Sequence, residues 1–126
     1  MRFIPTYVHA ILDYATAIVL IALPFVFYDA LGREAIGPTG AWTLVFAGLL
    51  VLAASIMTRY ELGAFKVIPM PVHLGLDALV GIFLIASPWL FGFADVIWWP
   101  HVLVGVAELG AAFLTKNEPR VRVPGR

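Results

Sequence analysis

The residues of this chain that could do chemistry lie inside its apolar segments. His9 and Asp13 are four positions apart, and His73 and Asp77 repeat that spacing. Residues four apart share one face of a helix, so each pair can present an imidazole and a carboxylate at the same place. Glu108 is a third carboxylate in an apolar stretch. Ionisable groups in a membrane span are costly and usually face the interior of the helix bundle.

These groups are expected at a common depth. Asp13 lies about 9 Å along its helix from the predicted membrane boundary, at 1.5 Å per residue, and Glu108 lies about as far from the end of its own segment. The two imidazoles then lie just below the carboxyl groups. The sequence therefore predicts one intramembrane polar cluster: His9, Asp13, His73, Asp77 and Glu108.

Four interpretations of this cluster are open. The first is a structural role, in which the polar groups hold the helices together by hydrogen bonds. The repetition favours it, because a hydrogen bond needed to assemble a hairpin recurs with the hairpin. A proton or ion relay is the second. A metal site of two imidazoles and up to three carboxylates is the third, although the Glu-x-x-His spacing of di-iron bundles is absent. The fourth is a haem or pigment held by His9 and His73, or by His101. The sequence requires no cofactor, and no metal is expected.

Glu108 departs from the repeat that relates the other groups. Its counterpart in the first half of the chain is Val51. A residue that only glues hairpins together should occur in both copies, so Glu108 is the best single candidate for a specific role. The alternatives are a simple pairing with His101, seven residues earlier on a similar helix face, or snorkelling of the side chain toward the membrane interface.

Composition places these residues in a membrane protein. Hydrophobic residues make up 62% of the 126-residue chain and charged residues 13%, against roughly 45–50% and about 25% in soluble domains. A small soluble domain could not bury that much apolar surface. The net charge of zero predicts no nucleic-acid partner. The absence of cysteine excludes disulfides and thiolate chemistry.

Four apolar segments are long enough to be membrane-spanning helices: 7–28, 41–57, 72–93 and 96–115. The first follows Arg2 and has no A-x-A cleavage site, so we expect a retained span rather than a signal peptide. The connections are too short to hold a catalytic domain, and no phosphate loop, dinucleotide fingerprint or nucleophile triad is present. We therefore expect no enzyme activity.

The basic residues predict an orientation. Arg33 alone falls on one side of the predicted spans. The other seven fall on the opposite side: Arg2, Arg59, Lys66, Lys116, Arg120, Arg122 and Arg126. The positive-inside rule places both termini and the middle connection in the cytoplasm, with Trp42, Trp98 and Trp99 near the outer interface.

The chain is an internal repeat. Aligning position 4 with position 68 gives twelve identities between positions 4 and 27, including both histidines and both aspartates. Spans two and four align with Trp42 on Trp99 and Gly48 on Gly105. We therefore predict an all-α membrane domain over 1–126, with repeat 1 at 1–64 and repeat 2 at 65–126. Two hairpins inserted in the same orientation imply a pseudo-twofold axis along the membrane normal.

Ser87-Pro88-Trp89 lies near the outer end of the first helix of a two-helix unit, and the first copy reads Leu23-Pro24-Phe25. With this motif, the repeated hairpin resembles the SPW-repeat integral membrane proteins. Pro24 and Pro88 each leave a carbonyl four residues earlier without its helical donor, and Ser87 is expected to bond a freed backbone group. The resemblance implies a bacterial membrane protein and no established activity.

The leading functional hypothesis is a non-enzymatic accessory or scaffolding subunit of a bacterial inner-membrane complex. Its expected partners are the lipid bilayer and either other membrane proteins or further copies of the chain. The alternative is a protein that binds a haem, pigment or metal, or handles protons or ions, through the intramembrane cluster.

Overall fold

Four α-helices make up most of the molecule. The computed structural model describes residues 1–118, so the basic tail of the orientation argument, 119–126, lies outside the described residues. The helices are α1 Thr6–Leu31, α2 Gly37–Met57, α3 Met70–Leu90 and α4 Trp99–Leu114, with a short 3-10 turn at Arg33–Ala35. The predicted all-α architecture of four helices is confirmed.

Three of these helices, α1 to α3, are long and apolar enough to cross a membrane, and α4 is a shorter apolar helix of 16 residues. The third helix ends at Leu90 rather than at the predicted position 93. Gly92 takes a positive φ of 73° there, and the amides of Phe93 and Ala94 turn back to the carbonyl of Pro88. The fourth helix begins only at Trp99, with Pro100 in its first turn, where a missing N–H costs nothing.

Close backbone contact holds each hairpin together. In the second hairpin Gly81 of α3 faces Gly105 of α4, and a Cβ built on Gly81 would lie 2.8 Å from the Gly105 carbonyl oxygen. In the first hairpin a Cβ on Gly48 would lie 3.1 Å from the carbonyl oxygen of Ala17. Small residues permit such approach in membranes, where hydrophobicity does not drive helices together.

The bundle has two different ends. At the tryptophan end, where α1 and α3 finish, Leu20, Phe27, Leu44 and Leu84 belong to a closely packed apolar core. At the histidine end, where α1 and α3 begin, the buried apolar cluster is small: Ala10, Tyr60, Met70 and Leu74. Polar groups fill the remaining interior there. Large apolar side chains cover the outside along the whole bundle, as lipid-facing helices require.

At the histidine end of the bundle, the terminal segments of each repeat pair with those of the other repeat. The segment before α1 pairs with the end of α4 through a parallel bridge between Ile4 and Thr115. The segment before α3 pairs with the end of α2 through the equivalent bridge between Thr58 and Ile68. The backbone bonds correspond one to one: Ile4 N–H donates to Leu114, and Ile68 N–H donates to Met57. This reciprocity is the predicted pseudo-twofold symmetry expressed in hydrogen bonds.

The Ser-Pro-Trp motif has a local structural role. The Ser87 hydroxyl donates to the carbonyl of Leu84 at 2.9 Å, the same carbonyl that Pro88 leaves without its helical donor. The expected repair of the freed backbone group is therefore confirmed. Trp89 points outward, as does Phe25 in the first copy. Pro24 lies within α1, which continues to Leu31.

Candidate functional site

Two histidines and two aspartates meet between the hairpins. We call His9, Asp13, His73 and Asp77 the tetrad. His9 Nε2 lies 2.7 Å from Asp77 Oδ2 and 3.1 Å from Asp13 Oδ1. His73 Nε2 lies 2.8 Å from Asp13 Oδ2 and 3.0 Å from Asp77 Oδ2. Each imidazole therefore contacts the carboxylate of its own helix and that of the other hairpin.

Helix geometry explains why the four groups meet. Within α1 and within α3 the histidine and aspartate are four residues apart and lie on one face. The pseudo-twofold axis turns these two faces toward each other, and the imidazole rings meet edge to face with centroids 5.5 Å apart. None of the four residues exceeds 2% exposure. The tetrad is thus a buried polar centre in a largely apolar bundle.

Two threonines fix the orientation of the imidazoles. His9 Nδ1 lies 2.7 Å from the hydroxyl of Thr115, and His73 Nδ1 lies 2.6 Å from that of Thr58. Each hydroxyl donates its one proton to a carbonyl four residues earlier, that of Ala111 for Thr115 and that of Ala54 for Thr58. The hydroxyls must then accept from the rings, so both Nδ1 atoms carry a proton.

This assignment sets the proton content of the tetrad. With Nδ1 protonated on both rings, both Nε2 atoms face carboxylate oxygens at hydrogen-bond distance. A nitrogen and an oxygen approach so closely only with a hydrogen between them. Without a bound cation the tetrad therefore holds two further protons, one for each Nε2, shared with the carboxylates.

Tyr60 covers the tetrad on one side only. Its hydroxyl donates to Asp13 Oδ2 at 3.0 Å, and its ring packs against His73. Tyr60 lies in the connection between α2 and α3, where burial, with a contribution from the charge of Asp13, raises the pKa of its phenol. It therefore donates as a neutral hydroxyl. The equivalent position in the second repeat is Asn117, which is exposed, so the two sides of the tetrad differ.

Glu108 is buried on α4, within electrostatic range of the tetrad. Its side chain is 5% exposed, and it interacts electrostatically with all four tetrad residues. It does not pair with His101. The His101 Nε2 atom donates to the Gly40 carbonyl at 2.9 Å, and its Nδ1 has no hydrogen-bond partner among the described residues.

His101 belongs to the packing between hairpins at the tryptophan end. Its Nε2 lies 2.9 Å from the hydroxyl of Thr43, and its ring packs on Phe93 with centroids 4.8 Å apart. The equivalent residue in the first repeat is the buried Leu44. His101 therefore lies apart from the other two candidate ligands, at a position that an apolar side chain fills in the other copy.

The sequence pattern identified the tetrad and Glu108 but not the residues that support them. Thr58, Thr115 and Tyr60 carry the second layer of hydrogen bonds. A signal for the threonines was present, since Thr58 and Thr115 are identical and aligned in the two copies. Tyr60 had no such signal, because the repeat places asparagine there.

The geometry bears on which ligands the tetrad could hold. A porphyrin between His9 and His73 would have to displace both carboxylates, which lie within 3.1 Å of the facing Nε2 atoms. A single ion needs no such space. One ligand atom from each of the four side chains can be chosen so that all four lie within 4.8 Å of one another. The arrangement therefore suits protons or a small cation better than a planar cofactor.

Comparison with known proteins gives one match. The sequence profile of the family described as SPW repeat domain matches residues 7–115, which include the tetrad and all four helices except the start of α1. No curated protein and no solved structure matches the chain.

Proposed function

The chain belongs to the SPW repeat domain family, and we propose that this membrane protein is a non-enzymatic accessory or scaffolding subunit of a larger complex in the bacterial inner membrane. The observation that carries the proposal is the division of the molecule into an interior held together by the hydrogen-bonded tetrad and an apolar exterior. The tetrad uses its hydrogen bonds to join the hairpins, and the large side chains that remain available point outward.

The interior supports a structural role. Every ring nitrogen of His9 and His73 is engaged, and both aspartates bond across the hairpin interface. Polar groups buried in a membrane bundle add to helix association when they are paired. The result is a rigid platform made from two hairpins that each have little polar surface of their own.

The exterior offers a surface for partners at the tryptophan end. The four tryptophans of the chain are each at least half exposed: Trp42, Trp89, Trp98 and Trp99. Trp89 and Trp98 lie together, with ring centroids 6.4 Å apart. Tryptophan is favoured at membrane interfaces and is enriched among the residues that dominate protein–protein affinity. We place the partner contact on this tryptophan surface.

The tryptophan surface can be tested with the protein in its native membrane. We expect Trp89→Ala combined with Trp98→Ala to abolish migration of the chain in a larger particle after extraction in mild detergent. Truncating anchor residues of this kind typically costs 2 kcal/mol or more each, roughly a thirtyfold loss of affinity. Native gels and photo-crosslinking from position 42 measure the association.

Phe113→Ala is the matched control for that experiment. Phe113 is an exposed aromatic residue on α4, toward its opposite end, and its loss should leave the particle unchanged. A particle that survives the double tryptophan variant, or a wild-type chain that migrates alone, would count against the accessory role.

The orientation of the chain is part of the proposal. The basic residues support a cytoplasmic histidine end, and the absence of native cysteine permits a direct test. We expect a cysteine at Ala64, exposed beside Tyr60, to resist a membrane-impermeant maleimide in intact cells. A cysteine at Glu34, exposed in the connection between α1 and α2, should react. The reverse labelling pattern would invert the orientation.

Proton, ion or cofactor handling is the second candidate function. The tetrad supports it, since two imidazoles and two carboxylates converge on one point. This reading requires that His73→Gln abolish a measurable activity or ligand while the bundle still folds. An accessory subunit requires only that the bundle fold.

A further inference from the structure

The tetrad has the donor set of a metal site. It offers two imidazole Nε2 atoms and two carboxylate oxygens, one from each of four side chains, with all four atoms within 4.8 Å of one another. Nitrogen and oxygen donors of this kind hold first-row divalent cations, and Zn²⁺ takes four of them in a tetrahedron. The donors come from both hairpins, so an ion here would join them.

The donors lie near enough to one another for a single ion to reach all four. Ligands at 2.0–2.1 Å from Zn²⁺ lie about 3.3 Å from each other. The four nitrogen–oxygen contacts in the tetrad, which use both oxygens of Asp13, measure 2.7 to 3.1 Å. One donor atom from each side chain lies within 4.8 Å of the other three. Binding therefore requires the contacting pairs to separate by a few tenths of an ångström and any wider pairs to close toward the tetrahedral spacing.

The hydrogen bonds that orient the two histidines also fit a metal site. Metal-binding histidines donate their other N–H to an oxygen, which fixes the ring and its tautomer. Here Thr115 and Thr58 accept from Nδ1 of His9 and His73. Both threonine hydroxyls are in turn oriented by a backbone carbonyl. The Nε2 lone pairs are thus directed to the centre of the tetrad, where the carboxylates lie.

Charge balance selects a divalent cation. Two carboxylates and two imidazoles protonated only at Nδ1 carry a net charge of −2. Two protons neutralise that charge in the ion-free tetrad, and one divalent cation neutralises it equally well. Exchange of two protons for one such ion leaves the net charge of this buried centre unchanged, so neither state leaves an unpaired charge in the bundle.

A groove borders one residue of the site. It lies between α2 and α3, has a volume of about 470 Å³, and reaches the histidine end at Met57 and Ile68. Its lining among the described residues is apolar apart from Asp77. Asp77, one ligand of the tetrad, therefore borders this groove.

From these observations we propose that the tetrad binds one divalent transition-metal ion of the zinc type, through His9, Asp13, His73 and Asp77, with release of two protons. The ion bridges the two hairpins from inside. This inference goes beyond the accessory role and is independent of it.

The experiment uses the full chain purified in detergent and stripped with a chelator. Titration with Zn²⁺ against a fluorescent zinc indicator should show one equivalent bound per chain. Titration with Co²⁺ should give the strong visible d–d bands of tetrahedral cobalt, which an octahedral or surface-bound ion does not give. Both measurements use the wild-type protein, so they stand even if a variant fails to fold. A wild-type chain that binds neither ion overturns the proposal.

Variants then assign the ligands. Thr58→Val, which keeps all four ligands but removes one acceptor, should weaken zinc binding by about 10–100-fold. Asp77→Asn should weaken it further and abolish the cobalt spectrum. His101→Leu is the control, since His101 does not belong to the four-residue donor set, and it should retain one equivalent. Retention of the tetrahedral spectrum in Asp77→Asn, or its loss in His101→Leu, contradicts the assignment.

Discussion

Asp13→Ala is expected to lower the free energy of unfolding by about 3–5 kcal/mol, the cost of removing one partner from a buried ion-pair network. Asp13 accepts from Tyr60 and His73 and lies 3.1 Å from the Nε2 atom of His9. Alanine leaves all three groups buried without that partner. The loss exceeds that of a single hydrogen bond because the three donors meet at one carboxylate. Unfolding in mixed micelles, followed through the helical circular-dichroism signal, measures this change in the free energy of unfolding.

Asp29→Ala is the matched control, because Asp29 is an exposed carboxylate on the same helix. Its removal should change the free energy of unfolding by no more than about 0.5 kcal/mol. Asp13→Asn should fall between the two, since an amide oxygen still accepts but carries no charge. Equal stability of Asp13→Ala and Asp29→Ala would show that the tetrad contributes nothing to the fold.

Gly105→Ala is expected to destabilise the second hairpin by about 1–3 kcal/mol, as overpacking a close contact does. The added Cβ would lie 2.7 Å from the carbonyl oxygen of Gly81 and 2.7 Å from Cγ1 of Ile85. The backbone of α3 cannot yield without moving the helix that carries His73 and Asp77. Gly105→Leu should therefore separate α3 from α4 altogether, which cysteine crosslinking between the two helices would detect.

The chain contains its own controls for that substitution. Nothing lies within 4 Å of a Cβ built on Gly75 of α3 or on Gly110 of α4. Alanine at either position should leave stability unchanged or raise it by about 0.5–1 kcal/mol, because alanine favours a helix over glycine. Alanine is therefore expected to destabilise the bundle at Gly105 but not at Gly75 or Gly110, although all three glycines lie on α3 or α4. Destabilisation of similar size at Gly75 and Gly105 would refute the close-contact explanation.

The sequence predicted the positions of the groups better than their connections. His9, Asp13, His73 and Asp77 share spacing and repeat, and that was enough to place them on facing helices. The exchange across the axis, in which each histidine bonds the threonine and aspartate of the other hairpin, does not follow from spacing. It depends on how the hairpins dock, which the apolar pattern of a membrane helix leaves undetermined.

The boundaries of α3 and α4 also differ from those that the sequence predicted. Apart from Asp95, positions 91–98 hold apolar residues and glycine, so hydropathy alone extends both spans into the turn. The turn is set by Gly92 at positive φ and by the amides that return to Pro88. Likewise, the suggested pairing of Glu108 with His101 fails. Seven residues along a helix nearly restore the same face, but His101 bonds α2 instead.

The two sides of the tetrad differ in a way that bears on how such a molecule can vary. Tyr60 on one side corresponds to Asn117 on the other, and Glu108 corresponds to Val51. A dimer of identical single hairpins could build the same four-residue centre, with its twofold axis through the middle, but each position would then hold the same residue twice. Joining the hairpins in one chain lifts that restriction. A neutral donor can cover one aspartate, and an extra carboxylate can stand near the centre, each introduced once. The fused chain can therefore carry different residues on the two sides of its symmetric centre, and each side can be substituted independently of the other.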